Sequence, residues 1–300
     1  MSRVASHHGV VVGTDGSPSS RVAIQWAAGE AAMRHVPLTI VHVAALLGGA
    51  SSVFAWPVGG VPEEVLEIQE NDARRVVADA ITAVEGCTAG GDRPEIHSEV
   101  FFGGPVPTLV DVSAQAQLLV VGCRGRTGQH RRLLGSVSTG LIYHSHCPVA
   151  VVHDEVPPSP QSGRLPVLVG IDGSRASESA TALAFDEASR RGVDLAALHV
   201  WSDADTATVP GMEVGALQHA ADKTLAERLA GWQERYPEVN VHRLVEFEDP
   251  ARQLLDHAQR AQLVIVGSHG RGGFARMLLG SVSATVTQEA RVPVIVARRH

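Results

Sequence analysis

Lysine is nearly absent from this 300-residue chain, and Lys223 is the only one. That excludes a Walker P-loop, whose chemistry needs Gly-Lys-Ser/Thr at the start of a helix. Aromatic residues make up only 4% of the chain, and Trp26, Trp56, Trp201 and Trp232 follow no stacking pattern for nucleic acid. A basic excess is missing too: the formal net charge is −7, which argues against nonspecific nucleic-acid binding. No apolar stretch reaches membrane-spanning length. Met1 to His8 hold no apolar signal-peptide core, since Val10 to Val12 already open a strand. The three cysteines, Cys87, Cys123 and Cys147, are odd in number and lack Cys-x-x-Cys spacing, which points to reduced thiols in a cytoplasmic protein. Neither nucleic acid nor a membrane is an expected partner.

What is present is a glycine signature that occurs twice. The first copy is Gly122-x2-Gly125-x9-Gly135-Ser136 and the second is Gly267-x2-Gly270-x9-Gly280-Ser281. Each follows a continuous apolar run, Leu118–Val121 and Leu263–Val266, and each precedes a segment able to form a helix. Strand, glycine loop and helix together bring backbone N–H groups and a helix N-terminus up to a phosphate. Upstream, Gly13-Thr14-Asp15-Gly16-Ser17 matches Gly170-Ile171-Asp172-Gly173-Ser174. Strands ending in His42-Val43 and His199-Val200 also match, as do Cys147-Pro148-Val149 and Val292-Pro293-Val294. A repeat this long is a duplicated domain. The first half is longer between its two motifs, and the glycines and prolines of Ala44 to Pro62 mark that extra length as a loop. Domain 1 is read as residues 1–153, a proline-rich linker as 154–166 and domain 2 as 167–300.

Within each half, strand and helix patterns alternate. The first half reads as strands at Val10–Thr14, Leu38–Val43, Ile96–Phe101, Leu118–Gly122 and Val149–His153. Helices fall at Ser19–His35, Glu63–Val84, Pro105–Ala116 and Ser136–Ser145. The second half repeats this from Val167 to Ala297. Such alternation implies two tandem open parallel five-stranded α/β sheets with helices on both faces and right-handed crossovers. By analogy with doubly wound folds the strand order is taken as 3-2-1-4-5. Ligands then sit outside the carboxyl ends of strands 1 and 4, so Asp15 faces the Gly122 loop and Asp172 faces the Gly267 loop. The fifth strands carry apolar edges, Val149–Val152 and Val294–Val296, which are expected to cover each other in an intramolecular pseudo-dimer.

The loop residues have chemical roles under this reading. Gly122 and Gly125 let the backbone approach a ligand. Ser136 is placed to cap the following helix and to offer a hydroxyl to phosphate. Arg126, Arg131 and Arg132 supply positive charge in the first loop, and Arg271 and Arg276 in the second. Asp15 would repel phosphate, so it suits ribose, adenine or a bound Mg²⁺. Plainer roles stand beside these. Glycine-rich turns can serve packing alone, Asp15 and Asp172 can cap helix 1 in competition with Ser17 and Ser174, and His42 and His199 read as satisfied rim histidines. His144-x-His146-Cys147 has no fourth partner at metal-ligand spacing, so no protein-held metal is expected.

These motifs resemble the universal stress proteins, in the tandem two-domain type of mycobacteria and other actinobacteria, over nearly the whole chain. ATP-binding members of that family carry this glycine signature. The resemblance therefore implies ATP binding in both halves, with or without Mg²⁺. Carried over by motif, the first site uses Gly13, Asp15, Val41, Gly122, Cys123, Arg124, Gly125, Arg126, Thr127, Gly128, Arg132, Gly135, Ser136 and Val137. The second uses Gly170, Asp172, Leu198, Asp203, Gly267, Ser268, His269, Gly270, Arg271, Gly272, Gly273, Gly280, Ser281 and Val282. Val41 and Leu198 would hold adenine through strand-2 backbone, and Asp203 would contact ribose. The implied function is regulatory: nucleotide occupancy sets conformation or the binding of a regulatory protein in stress, hypoxia, dormancy or growth control. A homodimer of whole chains is a secondary expectation.

An enzyme is the competing class, either a slow ATP hydrolase or an adenylate-transferring relative on a similar α/β fold. Those relatives use a Ser-Gly-Gly-x-Asp-Ser loop after strand 1, where this chain has Asp15-Gly16-Ser17-Pro18. No catalytic constellation stands out by spacing, so at most weak ATPase activity is expected. An interaction module with relic sites is a third class, against which both intact glycine sets argue.

Overall fold

The computed structural model describes residues 9–45, 63–87, 93–125, 134–154, 164–201, 214–270 and 279–298. The chain divides into two units, Met1–Cys147 and Pro148–His300.

The first unit runs β1 (Val10–Thr14), α1 (Pro18–Arg34), β2 (Leu38–Ala44), α2 (Glu63–Cys87), β3 (Ile96–Phe102), α3 (Pro105–Ser113), β4 (Leu118–Gly122) and α4 (Ser136–His144). Its strands lie in the order β3-β2-β1-β4, each pair parallel. β1 and β4 are buried along their whole length, which their uninterrupted valines and leucines require. β3 lies at the edge, with His97 and Ser98 open to solvent. Helix α3 is shorter than its apolar pattern predicts. Its last turn tightens into successive i→i+3 bonds, from Ala114 N–H to the Asp111 carbonyl and from Gln115 N–H to the Val112 carbonyl.

The second unit opens with β5 (Val149–Val152). It continues with β6 (Val167–Gly170), α5 (Arg175–Arg191), β7 (Leu195–Trp201), α6 (Val214–Arg235), β8 (Val241–Phe247), α7 (Pro250–Ala258), β9 (Leu263–Gly267), α8 (Ser281–Glu289) and β10 (Val294–Ala297). Strands β8-β7-β6-β9-β10 are parallel and reproduce the expected 3-2-1-4-5 order. β5, read in the sequence as the last strand of the first half, clusters with this unit and pairs antiparallel with β10, with Ala150 opposite Ile295. The two apolar fifth strands thus cover each other's edge, as their composition demands. The segments 46–62 and 155–163, which hold the expected long loop and most of the expected linker, lie outside the described residues. Among the described residues, no helix is long and apolar enough to cross a membrane.

Candidate functional site

Each half builds the same corner from two βα junctions. After β1, Asp15 Oδ1 accepts the Ser17 N–H at 3.0 Å, and Gly16 turns the chain at φ 78°, a left-handed conformation that favours glycine. Ser17 is the N-cap of α1, and its hydroxyl accepts the Ser20 N–H at 3.1 Å. After β6, Asp172 Oδ1 accepts the Ser174 N–H at 2.8 Å, Gly173 turns at φ 79°, and Ser174 caps α5 through the Ser177 N–H at 3.2 Å. The serines therefore do the capping, and the two aspartates are left to shape the turn and face the glycine loop. The halves satisfy the turn differently. Thr14 Oγ1 takes the Gly16 N–H at 3.2 Å, whereas Ile171 has no hydroxyl and Ser177 Oγ takes the Gly173 N–H at 3.1 Å.

The matched histidines hold this turn from the next strand. His42 Nδ1 donates to the Thr14 carbonyl at 2.8 Å, and His199 Nδ1 donates to the Ile171 carbonyl at 2.6 Å. Both rings are buried. Each pins the carbonyl directly before the aspartate and so fixes the direction in which that aspartate leaves the sheet. This is the satisfied rim role expected for them, with a positioning function that spacing alone does not reveal. Among the described residues, no three His, Cys, Asp or Glu side chains gather into a metal-binding group.

The two ends of the glycine motif are tied together. Gly135 N–H donates to the Cys123 carbonyl at 2.8 Å, and Gly280 N–H donates to the Ser268 carbonyl at 2.8 Å. Ser138 Oγ donates to the Gly122 carbonyl at 2.7 Å, and Ser283 Oγ to the Gly267 carbonyl at 2.5 Å. The chain leaves at Gly125 and returns at Gly135, where a Cβ would stand 3.5 Å from Gly125 N. The loop also meets the aspartate turn. Ser17 Oγ donates to the Arg124 carbonyl at 3.5 Å, and Ser174 Oγ to the His269 carbonyl at 3.2 Å. A Cβ on Gly125 would lie 2.8 Å from Asp15 Oδ2, and one on Gly270 would lie 2.8 Å from Asp172 Oδ2. The expected juxtaposition of the two motifs is present in both halves.

The glycines divide into two groups. Gly125 and Gly270 border the corner. Gly122 and Gly267 instead serve packing: a Cβ on Gly122 would sit 2.7 Å from the carbonyl carbon of Ser19, and one on Gly267 would sit 2.7 Å from that of Ala176. They let the first turn of α1 or α5 lie against the end of β4 or β9. Gly13 faces Leu109 and Val121, and Gly170 faces Leu254, so these two also admit apolar neighbours.

Ser136 and Ser281 do not cap their helices. The N-caps of α4 and α8 are Gly135 and Gly280, neither of which offers a side-chain cap. Ser136 and Ser281 are exposed first-turn residues, followed by half-buried Val137 and Val282. Val41 sits inside β2 in register with Gly13 and Glu99. Leu198 sits likewise in β7, its carbonyl accepting the Ile171 N–H at 2.8 Å. Cys123 is buried with Sγ 3.4 Å from Ser19 Oγ; its counterpart Ser268 is buried and hydrogen-bonds His269 Nδ1 at 3.0 Å. Arg126, Thr127, Gly128, Arg131 and Arg132 lie outside the described residues, as do Asp203, Arg271, Gly272, Gly273 and Arg276.

The model of the universal stress protein family matches residues 7–153 and again residues 164–298. A universal stress protein of Mycobacterium tuberculosis is 52% identical over 298 residues, covering 99% of both chains. One from Mycolicibacterium smegmatis is 48% identical over 298 residues, again covering 99% of both. Among solved structures, a universal stress protein of Archaeoglobus fulgidus superposes with a TM-score of 0.72 at 22% identity, covering 98% of this chain and 99% of that one, a likeness of fold. With two matches spanning nearly its whole length and relatives this similar end to end, the chain belongs to the universal stress protein family and carries its domain twice.

Proposed function

We propose that the protein binds ATP at two sites per chain, one in each half, and acts as a regulator whose conformation or partner surface follows nucleotide occupancy. The observation that carries this reading is the duplicated corner in which Asp15 meets Gly125 and Asp172 meets Gly270. Beside each corner, a helix opens at a glycine without a side-chain cap, so its first N–H groups are open to an anion. The phosphates belong at the loop and at α4 or α8. The carboxylates of Asp15 and Asp172 belong with ribose or adenine, since they would repel phosphate. Mg²⁺ fits only as a companion of the phosphates, because the described residues offer no cage of three ligands.

The regulated process on this reading is stress, hypoxia, dormancy or growth control in the cytoplasm. His269 is engaged by Ser268 at 3.0 Å, and its first-half counterpart is Arg124, so among the described residues the two sites share no matched histidine to activate water. Turnover should therefore be slow. Titration calorimetry with ATP and mass analysis of nucleotide released on heating test the reading. About two nucleotides per chain are expected, and a folded protein that binds none overturns it. Phosphate release near 1 per second or faster, lost when Asp15 and Asp172 are replaced, would make the protein an enzyme of roughly ordinary rate.

A further inference from the structure

The outer strand edges of the two halves are guarded differently. β3 is the edge strand of the first half and β8 that of the second, and among the described residues neither has a strand on its outer side. The Glu95 carbonyl accepts the Leu38 N–H at 2.8 Å, and the Gly103 N–H donates to the Ala44 carbonyl at 2.9 Å. Between them β3 follows β2 residue by residue from Ile96 to Phe102. Backbone groups point alternately to one side and the other of a strand. The odd-numbered residues therefore turn to β2, and Ile96, Ser98, Val100 and Phe102 turn their N–H and C=O groups outward. The same strand leaves apolar side chains in water, with Val100 36% and Phe102 43% exposed. On β8 the Asn240 carbonyl accepts the Leu195 N–H and the Glu248 N–H donates to the Trp201 carbonyl, so the outward set is Val241, Arg243, Val245 and Phe247. Ser98 and Arg243 are both third in their strands. Arg243 is charged and donates from Nε to Asp222 Oδ1 at 2.9 Å. A charge in mid-strand is a common guard against edge pairing. β8 has that guard, and β3 has a serine in its place.

We propose that β3 is a docking edge for a second copy of this chain, the two strands pairing antiparallel about Ser98. A two-fold axis there sets Ser98 against the partner's Ser98 and Ile96 against the partner's Val100, in pairs that exchange backbone hydrogen bonds. Between them His97 meets the partner's Glu99 in the closer, non-bonded pairs, once on each side of the axis. Opposite-charge and apolar cross-strand pairs both favour such a contact. His97 lies 3.4 Å from Glu95 Oε1 of its own chain and stays half exposed, with room for the partner's carboxylate. Other registers lose this match. An axis at His97 or Glu99 sets that residue against its own copy. An axis at Val100 sets Glu99 against Phe101, and one at Ile96 puts Pro94, which has no N–H, opposite Ser98. On β8 the equivalent axis would oppose Arg243 with the partner's Arg243, like charges directly across the ladder.

Analytical ultracentrifugation of the full chain at micromolar concentration should give a dimer. Ser98→Arg, which copies the edge of the second half, should give a monomer at the same concentration with unchanged unfolding, since Ser98 is exposed. Disulfide trapping reads the register, in a Cys87→Ser background that removes the exposed native thiol. Ser98→Cys should link two chains under mild oxidation, because a bonded antiparallel pair holds its Cα atoms about 5.5 Å apart, within disulfide reach. Val100→Cys should not, since the two copies of that residue stand roughly 14 Å apart across the axis. A chain that stays monomeric, a dimer that survives Ser98→Arg, or trapping at Val100→Cys as efficient as at Ser98→Cys overturns the proposal.

Discussion

A single added methyl at Gly125 would stand 2.8 Å from Asp15 Oδ2, although the two residues lie in different βα junctions. Gly270 and Asp172 repeat the relationship at the same distance. A side chain at Gly125 must fill the corner between the carboxylate and the loop, while the exposed backbone there leaves the fold intact. Gly125→Leu is expected to remove one nucleotide from the stoichiometry, with unchanged unfolding behaviour. Gly270→Leu should remove the other. Loss of both from either single change would show that the corners are not independent.

Gly122 should behave in the opposite way. Its missing Cβ is replaced by the backbone of Ser19, which has nowhere to retreat because Ser17 and Ser20 fix the first turn of α1. Gly122→Ala is therefore expected to destabilise the protein by about 1–3 kcal/mol, the usual cost of overpacking. Denaturant unfolding would reveal it. A variant as stable as its parent would mean that α1 can shift without cost.

That contrast also marks how far the sequence could be read. The duplication and the alternation of strands and helices were legible in the residues, whereas the strand order, and with it the meeting of Asp15 with the Gly122 loop, rests on analogy with doubly wound folds. The different duties of Gly122 and Gly125 were not legible, since two glycines in one motif look alike until α1 is laid against β4. The choice between Asp15 and Ser17 as the cap stayed open because both residue types cap helices well, and only the Ser20 N–H direction decides it. Ser136 looked like a cap by type, yet it is the first residue of the helix and the cap position falls on Gly135.

Each half buries an ion pair at the end of its first helix. Glu30 and Arg34 meet at 3.3 Å, and Glu187 and Arg191 at 3.1 Å. Burial pushes the Arg191 guanidinium down to about 10, and Gln262 Oε1 lies 3.3 Å from its Nη1. Removing one partner leaves a charge in a dry place. Arg191→Met is expected to cost about 3–5 kcal/mol, and Glu187→Leu with Arg191→Met should recover most of it. Unfolding curves of the single and double variants decide this, and an unharmed single variant would show that water reaches Glu187.

Asp194 offers a pH-dependent counterpart on the surface. A hydrogen bond from His242 Nε2, at 2.7 Å, holds its carboxyl below the usual range, with Asn240 helping. A depressed carboxylate contributes stability above its unfolded value, near 3.9, and that contribution is lost as pH falls through the folded value. Both groups are half exposed, so the contribution is below about 1 kcal/mol. Asp194→Asn should lower stability slightly at neutral pH, and the difference should fade as pH falls through the folded value of Asp194. A deficit that persists in acid would assign the effect to shape rather than charge.

The ends of α1 and α5 differ at one residue that sets a last expectation. His35 closes α1 at φ 52°, ψ 46°, and Gly192 closes α5 at φ 62°, ψ 40°. The closing bonds are the same: His35 N–H to the Ala32 carbonyl and Val36 N–H to the Ala31 carbonyl, against Gly192 N–H to Ser189 and Val193 N–H to Ala188. Identical bonding demands an identical left-handed residue, and only the side chain differs. For a residue with a Cβ that conformation costs roughly 1–2 kcal/mol, which glycine avoids. The His35 side chain is exposed, so little packing is lost with it. His35→Gly should stabilise the protein by about 1 kcal/mol, somewhat less than the full steric term because the unfolded glycine chain is freer. Gly192→His should destabilise it by a similar amount. Chemical unfolding of the two variants gives opposite shifts if the steric argument holds; a loss of stability in His35→Gly would mean that the imidazole supports the turn in a way its geometry does not suggest.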